Sequence, residues 1–496
     1  MAYLRCNRLE IGFVVAIAAV GAAFRIGEFG QALYGDELWS YAVSRSGSVG
    51  AVIDFVQSDQ EISPPLFALL AWLAAKLGNA DVWIRLPSLI AGILVIPLTF
   101  SLGLLTVGKR AAFVAASMAA LSPFLAFYSV EARAYSIAVA LSAASTMAML
   151  IAIRGGARRW WVAYGAFSCA AMYSHYTVAF VLLAQLLWLL WRRPAARIPA
   201  LVANAGAALA YLPWMTSLID DVNSPSQDII GSLAPFSFAN FTRFTGATLF
   251  GSPGDGLNRF LGTPLEIALF AGLAIGLAGA VVAMTQGTTR AASDEGRDGE
   301  QRGTLVLPVL LALACPVGAG LVSLLAADQF LPRNLAASWP GFAVALAAVL
   351  TMGPRVYWVP ATTFVLGVFA TGAVLMTEPQ WSRPDIGAAA RYIEAETGPN
   401  VVVIDTLSLG GDGLPLGETL SLEMTEPFQR YPPAALADAV AAAAGGRMAI
   451  VGPPVLAEGF AQAPELAGLE PVESRTFPGA LDTEVFIFEI PARRRG

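Results

Sequence analysis

Residues 86–159 read LPSLIAGILVIPLTFSLGLLTVGKRAAFVAASMAALSPFLAFYSVEARAYSIAVALSAASTMAMLIAIRGGARR. Every charged residue in this stretch falls at one of three interruptions: Lys109-Arg110, then Glu131 and Arg133, then Arg154 with Arg158-Arg159. Between them stand apolar runs near the roughly 20 residues that a helix needs to cross the hydrocarbon core of a bilayer. The stretch therefore predicts successive membrane spans from Leu86 to Val107, Ala112 to Tyr128 and Tyr135 to Ile153.

The same pattern recurs outward in both directions. Leu9 to Arg25 precedes it; Trp161 to Ser174, Tyr176 to Trp191, Ile198 to Leu218, Pro264 to Met284, Leu305 to Ala326, Leu335 to Met352 and Val359 to Met376 follow, giving about eleven spans. Leu9 to Arg25 has the basic flank of a secretory signal, Arg5 and Arg8, but no small-residue cleavage site follows, so it reads as an uncleaved anchor with its N-terminus inside. Of 496 residues, 56% are hydrophobic and 13% charged, with mean hydropathy +0.63. Soluble domains carry roughly 25% charged residues, so a soluble protein is excluded.

Arginine placement tests the count independently, because short cytoplasmic loops hold the basic residues. Lys109 and Arg110, Arg154 with Arg158 and Arg159, Arg192, Arg193 and Arg197, then Arg290, Arg297, Arg302 and Arg355 all fall on one side of the proposed topology. The other side receives the loops 27–85 and 219–263, the Ser129–Ala134 link, the His175 turn, Ala327–Asn334 and the tail. Pro65 to Leu77 is apolar but short, and counting it as a span would invert every later loop, so it reads as a helix in the outer face. The polar, Gly-containing stretch Thr285–Gly303 reads as a cytoplasmic linker.

Beyond Met376 the composition changes. Thr377–Gly496 carries 17 acidic residues and 8 Arg, a water-compatible balance that argues against nucleic acid as a partner, since phosphate backbones need a basic face. Val401–Asp405, Met448–Val451 and Val485–Ile490 read as strands; Pro384–Glu396 and Pro433–Ala444 read as helices, the second stopped by Gly445-Gly446. Gly411-Asp412-Gly413 fails as a dinucleotide fingerprint, because the next glycine is displaced and Pro415 interrupts the helix start. Cys6, Cys169 and Cys315 suggest neither a disulfide framework nor a zinc site.

The unusual polar residues cluster in the outer loops. Asp36 and Glu37, in Tyr34-Gly35-Asp36-Glu37-Leu38-Trp39-Ser40-Tyr41, are adjacent carboxylates that could accept a proton or hold a divalent ion; a solvated loop in an aromatic belt is the alternative. Glu131-Ala132-Arg133-Ala134-Tyr135 places a planar guanidinium, suited to bidentate phosphate contact, beside a carboxylate, or else a snorkelling Arg. His175, in Tyr173-Ser174-His175-Tyr176, is the only histidine and is either a turn residue or a ligand contact. Arg333, in Phe330-Leu331-Pro332-Arg333-Asn334, stands at phosphate depth or anchors the interface. Phe236, Phe238, Phe241, Phe244 and Phe250 crowd one outer loop as an interfacial segment. With one histidine no Ser/His/Asp set is legible, and no phosphate-cradling loop is present.

Taken in order, Asp36-Glu37 after the first span, Pro64-Pro65-Leu66, Glu131-Ala132-Arg133-x-Tyr135, the Ser174-His175-Tyr176 turn and a late Arg333 resemble the GT-C glycosyltransferases. The nearest branch is that of protein O-mannosyltransferases, aminoarabinose transferases and related bacterial membrane sugar transferases. The resemblance covers roughly residues 1–350. It implies a GT-C-like catalytic module at 1–376 within the polytopic α-helical membrane protein already read from the spans, while the tail at 377–496 reads from its own pattern as a small extracytoplasmic α/β domain. It also implies transfer of a sugar from a polyprenyl-phosphate carrier to an extracytoplasmic hydroxyl of a glycan, lipid or protein, with inversion, in a bacterial inner membrane. Asp36 would be the base or the carboxylate that positions the acceptor, with Glu37 beside it; Glu131, Arg133 and Tyr135 would help form the carrier-phosphate site, with Arg333 a further candidate for it and His175 a substrate-binding residue. No organic cofactor is implied, and a divalent metal at the carboxylate pair stays open. The chain departs from the pattern at Ser63, where many relatives have His, and at Arg333-Asn334, where Arg-Tyr is common. A transporter of lipid-linked glycans and a non-catalytic scaffold are the rival classes; one-sided polar groups and the lack of a repeat disfavour the first.

Overall fold

The computed structural model describes residues 8–58, 62–224, 235–253, 257–290, 295–407, 418–479 and 482–492. Gly411-Asp412-Gly413 lies outside them. The chain divides into two compact units: Met1–Phe29, Ser46–Ala74 and Arg85–Leu375 in one, and Gly30–Arg45, Ala75–Ile84 and Met376–Gly496 in the other.

In chain order the helices begin with α1 (Arg8–Gly27), α2 (Glu37–Ser44), α3 (Val49–Val56), α4 (Leu66–Ala74) and α5 (Ala80–Trp83). The opening stretch of sequence forms α6 (Leu86–Thr106), α7 (Lys109–Leu121), α8 (Pro123–Ser129) and α9 (Tyr135–Ile153). Next come α10 (Arg159–Met172), α11 (Val178–Arg192), α12 (Arg197–Tyr211), α13 (Met215–Val222) and α14 (Phe238–Phe250). The first unit is completed by α15 (Leu257–Arg290), α16 (Glu295–Leu325), α17 (Pro332–Leu335), α18 (Trp339–Met352) and α19 (Arg355–Leu375).

Among the described residues, eight helical stretches are long and apolar enough to cross a membrane, nine if the bent pair α7–α8 is one span. The chain is a multi-span membrane protein. Helices occupy all eleven expected stretches, but α10 and α11 have 14 and 15 residues, about 21 Å each, short of a full crossing. Pro65–Leu77 is helical as expected and likewise short. Helices α15 and α16 extend into the polar stretch expected as a linker, of which residues 291–294 lie outside the described set.

Helix α9 is the hub, with 83% of its apolar window buried. Its interior faces carry Ala138, Ala140, Ala143, Ala144 and Ala148, small residues that let neighbouring backbones approach where lipid offers no hydrophobic drive. The hydroxyls of Ser145 and Ser168 stand 3.0 Å apart, Ser145 donates to Gln185 Oε1 at 3.1 Å, and Gln185 Nε2 donates to Thr146 Oγ1 at 2.8 Å. The network ties α9 to α10 and α11.

The α7–α8 pair bends by 56°. Pro123 has no N–H and disfavours helix at Ser122, whose hydroxyl instead caps α8 by accepting from Leu125 N at 3.2 Å. Breaking the helix strips partners from the last carbonyls of α7. Two of the basic residues predicted to share one side hold helix ends: Arg154 donates to Leu105 O, and Arg110 reaches Thr351 O at 3.4 Å and stacks 4.8 Å over Trp358.

The second unit contains the expected α/β fold. Strands β1 (Val401–Asp405), β2 (Phe428–Tyr431), β3 (Arg447–Gly452), β4 (Glu473–Phe477) and β5 (Thr483–Glu489) form one sheet in the order β2-β1-β3-β5-β4. β1 runs parallel to β2 and β3, while β5 is antiparallel to β3 and β4. Strand alternation sends Val401 and Val403 to one face against Ile386, Ala389 and Ile393 of α20 (Ile386–Thr397). Val402 and Ile404 go to the other, against Leu436 and Ala439 of α21 (Leu436–Ala442) and Ala457 of α22 (Pro454–Ala461).

Candidate active site

The link between α8 and α9 is short, and Arg133 N donates to Glu131 O at 2.7 Å within it. Ser88 Oγ, on α6, donates to Arg133 O at 2.9 Å. Tyr135 opens α9, is buried, and faces the His175 ring at a centroid distance of 5.4 Å. Tyr128 packs edge-on against Tyr135 at 4.9 Å, so the link is walled by aromatic rings.

His175 lies in the turn between α10 and α11. Thr177 N donates to its Nδ1 at 3.3 Å, and Thr177 Oγ1 stands 2.8 Å from the same atom. An amide can only donate, so Nδ1 is the acceptor and Nε2 carries the ring proton. Burial first, then the positive charges of Arg333 and Arg133, pull the ring's pKa down to about 3. The imidazole is thus neutral and lies within the electrostatic reach of two guanidinium groups. Arg333 belongs to α17, whose loop is held by Asn334 Nδ2 donating to Gln329 O at 2.8 Å and by Phe330 stacking on Phe236 and Phe241. The phenylalanine-rich outer loop is therefore a helix, α14, packed beside the Arg333 loop.

The turn borders an apolar groove of about 1490 Å³ that runs along the valley between α10 and α12. Gly165, Ala166, Ala203, Gly206 and Ala207 form its floor, with Arg158 at one end and Tyr173, Trp214 and Pro65 at the other. Leu66 N donates to Tyr173 O at 3.0 Å, which fixes the Pro64-Pro65-Leu66 segment to the mouth of this groove.

Asp36 and Glu37 belong to the second unit. Gly35, at φ 58°, makes the left-handed turn that a side chain would disfavour, and Leu38 N donates to its carbonyl at 3.1 Å. Glu37 is buried: Oε2 stands 3.3 Å from Arg383 Nε and accepts from Tyr34 N at 3.3 Å. Asp36 precedes α2 without using its side chain as a cap, is only partly buried, and its charge joins burial in raising the Tyr34 hydroxyl above its ordinary pKa. The adjacent carboxylates thus have different environments, one locked to a guanidinium and one beside a phenol. Because Arg383 occupies Glu37, the pair does not offer a divalent ion two open carboxylates, and no cluster of three or more His, Cys, Asp or Glu suited to a metal occurs among the described residues.

Residues 63–217 match the family described as dolichyl-phosphate-mannose-protein mannosyltransferase. No curated protein sequence matches the chain. ArnT from Cupriavidus metallidurans in the apo state superposes with a TM-score of 0.54 at 15% identity, over 96% of this chain and 98% of that one. The same protein bound to undecaprenyl phosphate gives 0.53, 15%, 96% and 98%. The chain has the GT-C fold. The oligosaccharyltransferase of Archaeoglobus fulgidus in its apo form is similar at TM-score 0.52 and 12% identity, covering 90% of this chain and 69% of that one. The matched segment contains Glu131, Arg133, Tyr135 and His175, whereas Asp36 and Arg333 lie outside it.

In the helical unit the structure packs Tyr135 on His175 and sets that ring within the electrostatic reach of Arg133 and Arg333, with Glu131 opening the same link as Arg133. It places Asp36 and Glu37 in the other unit. Sequence reasoning missed Arg383, whose partner lies at the far end of the chain, and Thr177, whose side chain and amide set the imidazole tautomer. An acid in an otherwise apolar helix start and an Arg just before an amphipathic helix were the available signals.

Proposed function

We propose that the protein is an inverting membrane glycosyltransferase that moves a sugar from a polyprenyl-phosphate carrier to an extracytoplasmic hydroxyl, with the N-terminus in the cytoplasm. The observation that carries this reading is a buried His175 that packs on Tyr135, accepts at Nδ1 from Thr177 N, and feels the positive charges of both Arg133 and Arg333. Such a set suits a phosphodiester: the guanidinium planes supply charge and paired donors, and the imidazole adds a hydrogen bond without needing to titrate. Tyr135 walls the site, and the apolar groove ending at Tyr173 gives the isoprenoid chain a path down the α10–α12 valley. Relatives in fold include one bound to undecaprenyl phosphate, which supports this carrier chemistry.

In the transfer, the acceptor O–H breaks as its oxygen attacks the anomeric carbon from the face opposite the phosphate. Asp36 takes the proton, the new C–O bond forms, and the bond from the anomeric carbon to the carrier oxygen breaks with its electron pair leaving on the phosphate. Arg133 and Arg333 stabilise that charge. Glu37, neutralised by Arg383, holds the turn that presents Asp36. The bacterial inner membrane, the sugar and acceptor classes and the position of the α/β domain outside the cytoplasm belong to the same proposal.

The test is incubation of purified protein in lipid with radiolabelled polyprenyl-phosphate sugars and an envelope acceptor extract. The proposal expects label to leave the carrier; movement of intact lipid-linked sugar across vesicles without such loss would replace it with the transporter reading.

A further inference from the structure

Arg25 is wholly buried in α1, a helix whose apolar window is only 11% buried, Gly21 and Arg25 being its buried residues. A charged side chain at membrane depth is costly unless its donors are met, and here they are. Nη1 donates to Gly21 O at 2.8 Å and Ala120 O at 3.0 Å, Nη2 to Ala119 O at 3.0 Å, and Nε to Ser129 Oγ at 3.0 Å. The carbonyls of Ala119 and Ala120 are those freed where α7 breaks, so the guanidinium serves as the cap that Pro123 prevents the backbone from providing. The bond to Ser129 does something different. Ser129 is the last residue of α8, and its hydroxyl in turn donates to Leu125 O.

From Ser129 the chain passes without helix through Val130 and Glu131 to Arg133. The course of that link is set by how its two ends are held. One end is Ser129, fixed by Arg25 and by the close approach of α6 at Gly92, where a Cβ would overlap the Ser129 side chain. The other is Arg133, whose carbonyl accepts from Ser88, one helical turn from Gly92 on α6. Arg25, Ser129, Gly92 and Ser88 therefore form a continuous bracket from the first helix to the backbone of Arg133.

We propose that Arg25 is a positioning residue for the anion site, acting through Ser129 to set the Glu131–Arg133 link. The inference rests on the reading of Arg133, His175 and Arg333 as a carrier-phosphate site. An arginine that only anchored α1 would affect folding and leave ligand affinity alone in every variant that folds. Lysine at this position has one ammonium and cannot meet three carbonyls and a hydroxyl at once.

The experiment uses the full chain in lipid nanodiscs, with undecaprenyl phosphate as the probe and thermal unfolding measured on the same samples. Ser129→Ala and Gly92→Ala stand beside Arg25→Lys, so the test survives if the arginine variant does not fold. Ser129→Ala is expected to stay folded with a melting temperature lowered by no more than the loss of one buried hydrogen bond, while probe binding, measured well below that temperature, weakens about fivefold, the value of one hydrogen bond of ordinary strength. Arg25→Lys should weaken it at least as much, and combining the two should add little, because both cut the same link. Wild-type affinity in folded Ser129→Ala and Arg25→Lys protein overturns the positioning role, as does affinity that falls only in step with the melting temperature. If the wild-type protein itself does not bind undecaprenyl phosphate, the carrier-phosphate reading fails and this inference fails with it.

Discussion

Glu37 Oε2 stands 3.3 Å from Arg383 Nε, and both side chains are almost fully buried. The pair joins the residue after Asp36 to the segment leading into α20, so the turn bearing the candidate base is part of the α/β unit rather than a free outer loop. Removing one partner of a buried pair leaves an uncompensated charge. Arg383→Met is accordingly expected to destabilise the unit by about 3 kcal/mol and to open residues 30–45 to limited proteolysis. Unchanged protease resistance and melting temperature would show the pair to be incidental.

Arg133→Lys keeps the charge and loses the fork. Carrier affinity should fall about tenfold, equivalent to about 1.4 kcal/mol, with little change in melting temperature, measured by binding of undecaprenyl phosphate to the folded protein. An unaltered affinity would remove Arg133 from the phosphate site.

The His175 value gives a pH prediction with a definite sign. Burial and the charges of Arg333 and Arg133 lower its pKa from 6.5 to about 3, so the folded protein keeps the ring neutral wherever a free histidine would titrate. A protonated ring would strengthen phosphate binding as pH falls; a neutral one gives no such rise. Binding of a phosphodiester donor, whose own charge is constant, should show no histidine inflection between about pH 5 and 8. An affinity that climbs below pH 6.5 in wild type and not in His175→Phe would contradict this environment.

Gly206 lines the groove and has no heavy atom near the place its Cβ would occupy. Gly206→Phe should therefore fold and fill the valley. Binding of long-chain polyprenyl phosphates should weaken while that of a short-chain analogue is retained. Equal effects on both would detach the groove from the carrier chain.

Much of the fold was legible because membrane spans announce themselves by length and charge placement. Helices stand where Leu86–Val107 and its neighbours predicted them. The shortness of α10 and α11 was legible as well, since Trp161–Ser174 and Tyr176–Trp191 were read as separate runs of 14 and 16 residues on either side of the His175 turn. In the tail, β1, β3 and β5 lie in apolar runs and were read directly. β4 is exposed along most of its length and β2 is a short edge strand, so neither carries the apolar alternation that marks a half-buried strand. Arg133, His175 and Arg333 stood out as polar residues at span ends. Arg25 also sits at a span end, yet only the broken α7 and the placement of Ser129 give it a role beyond snorkelling, and neither contact is encoded by spacing.

Transfer itself is tested most directly by comparing wild type with Asp36→Asn for loss of label from radiolabelled polyprenyl-phosphate sugars in the presence of envelope acceptor. Asn keeps the size of the side chain and removes its ability to take the acceptor's proton. The account predicts that wild type releases label and that Asp36→Asn, expressed and folded at wild-type levels, does not. Near-normal turnover by Asp36→Asn would contradict it.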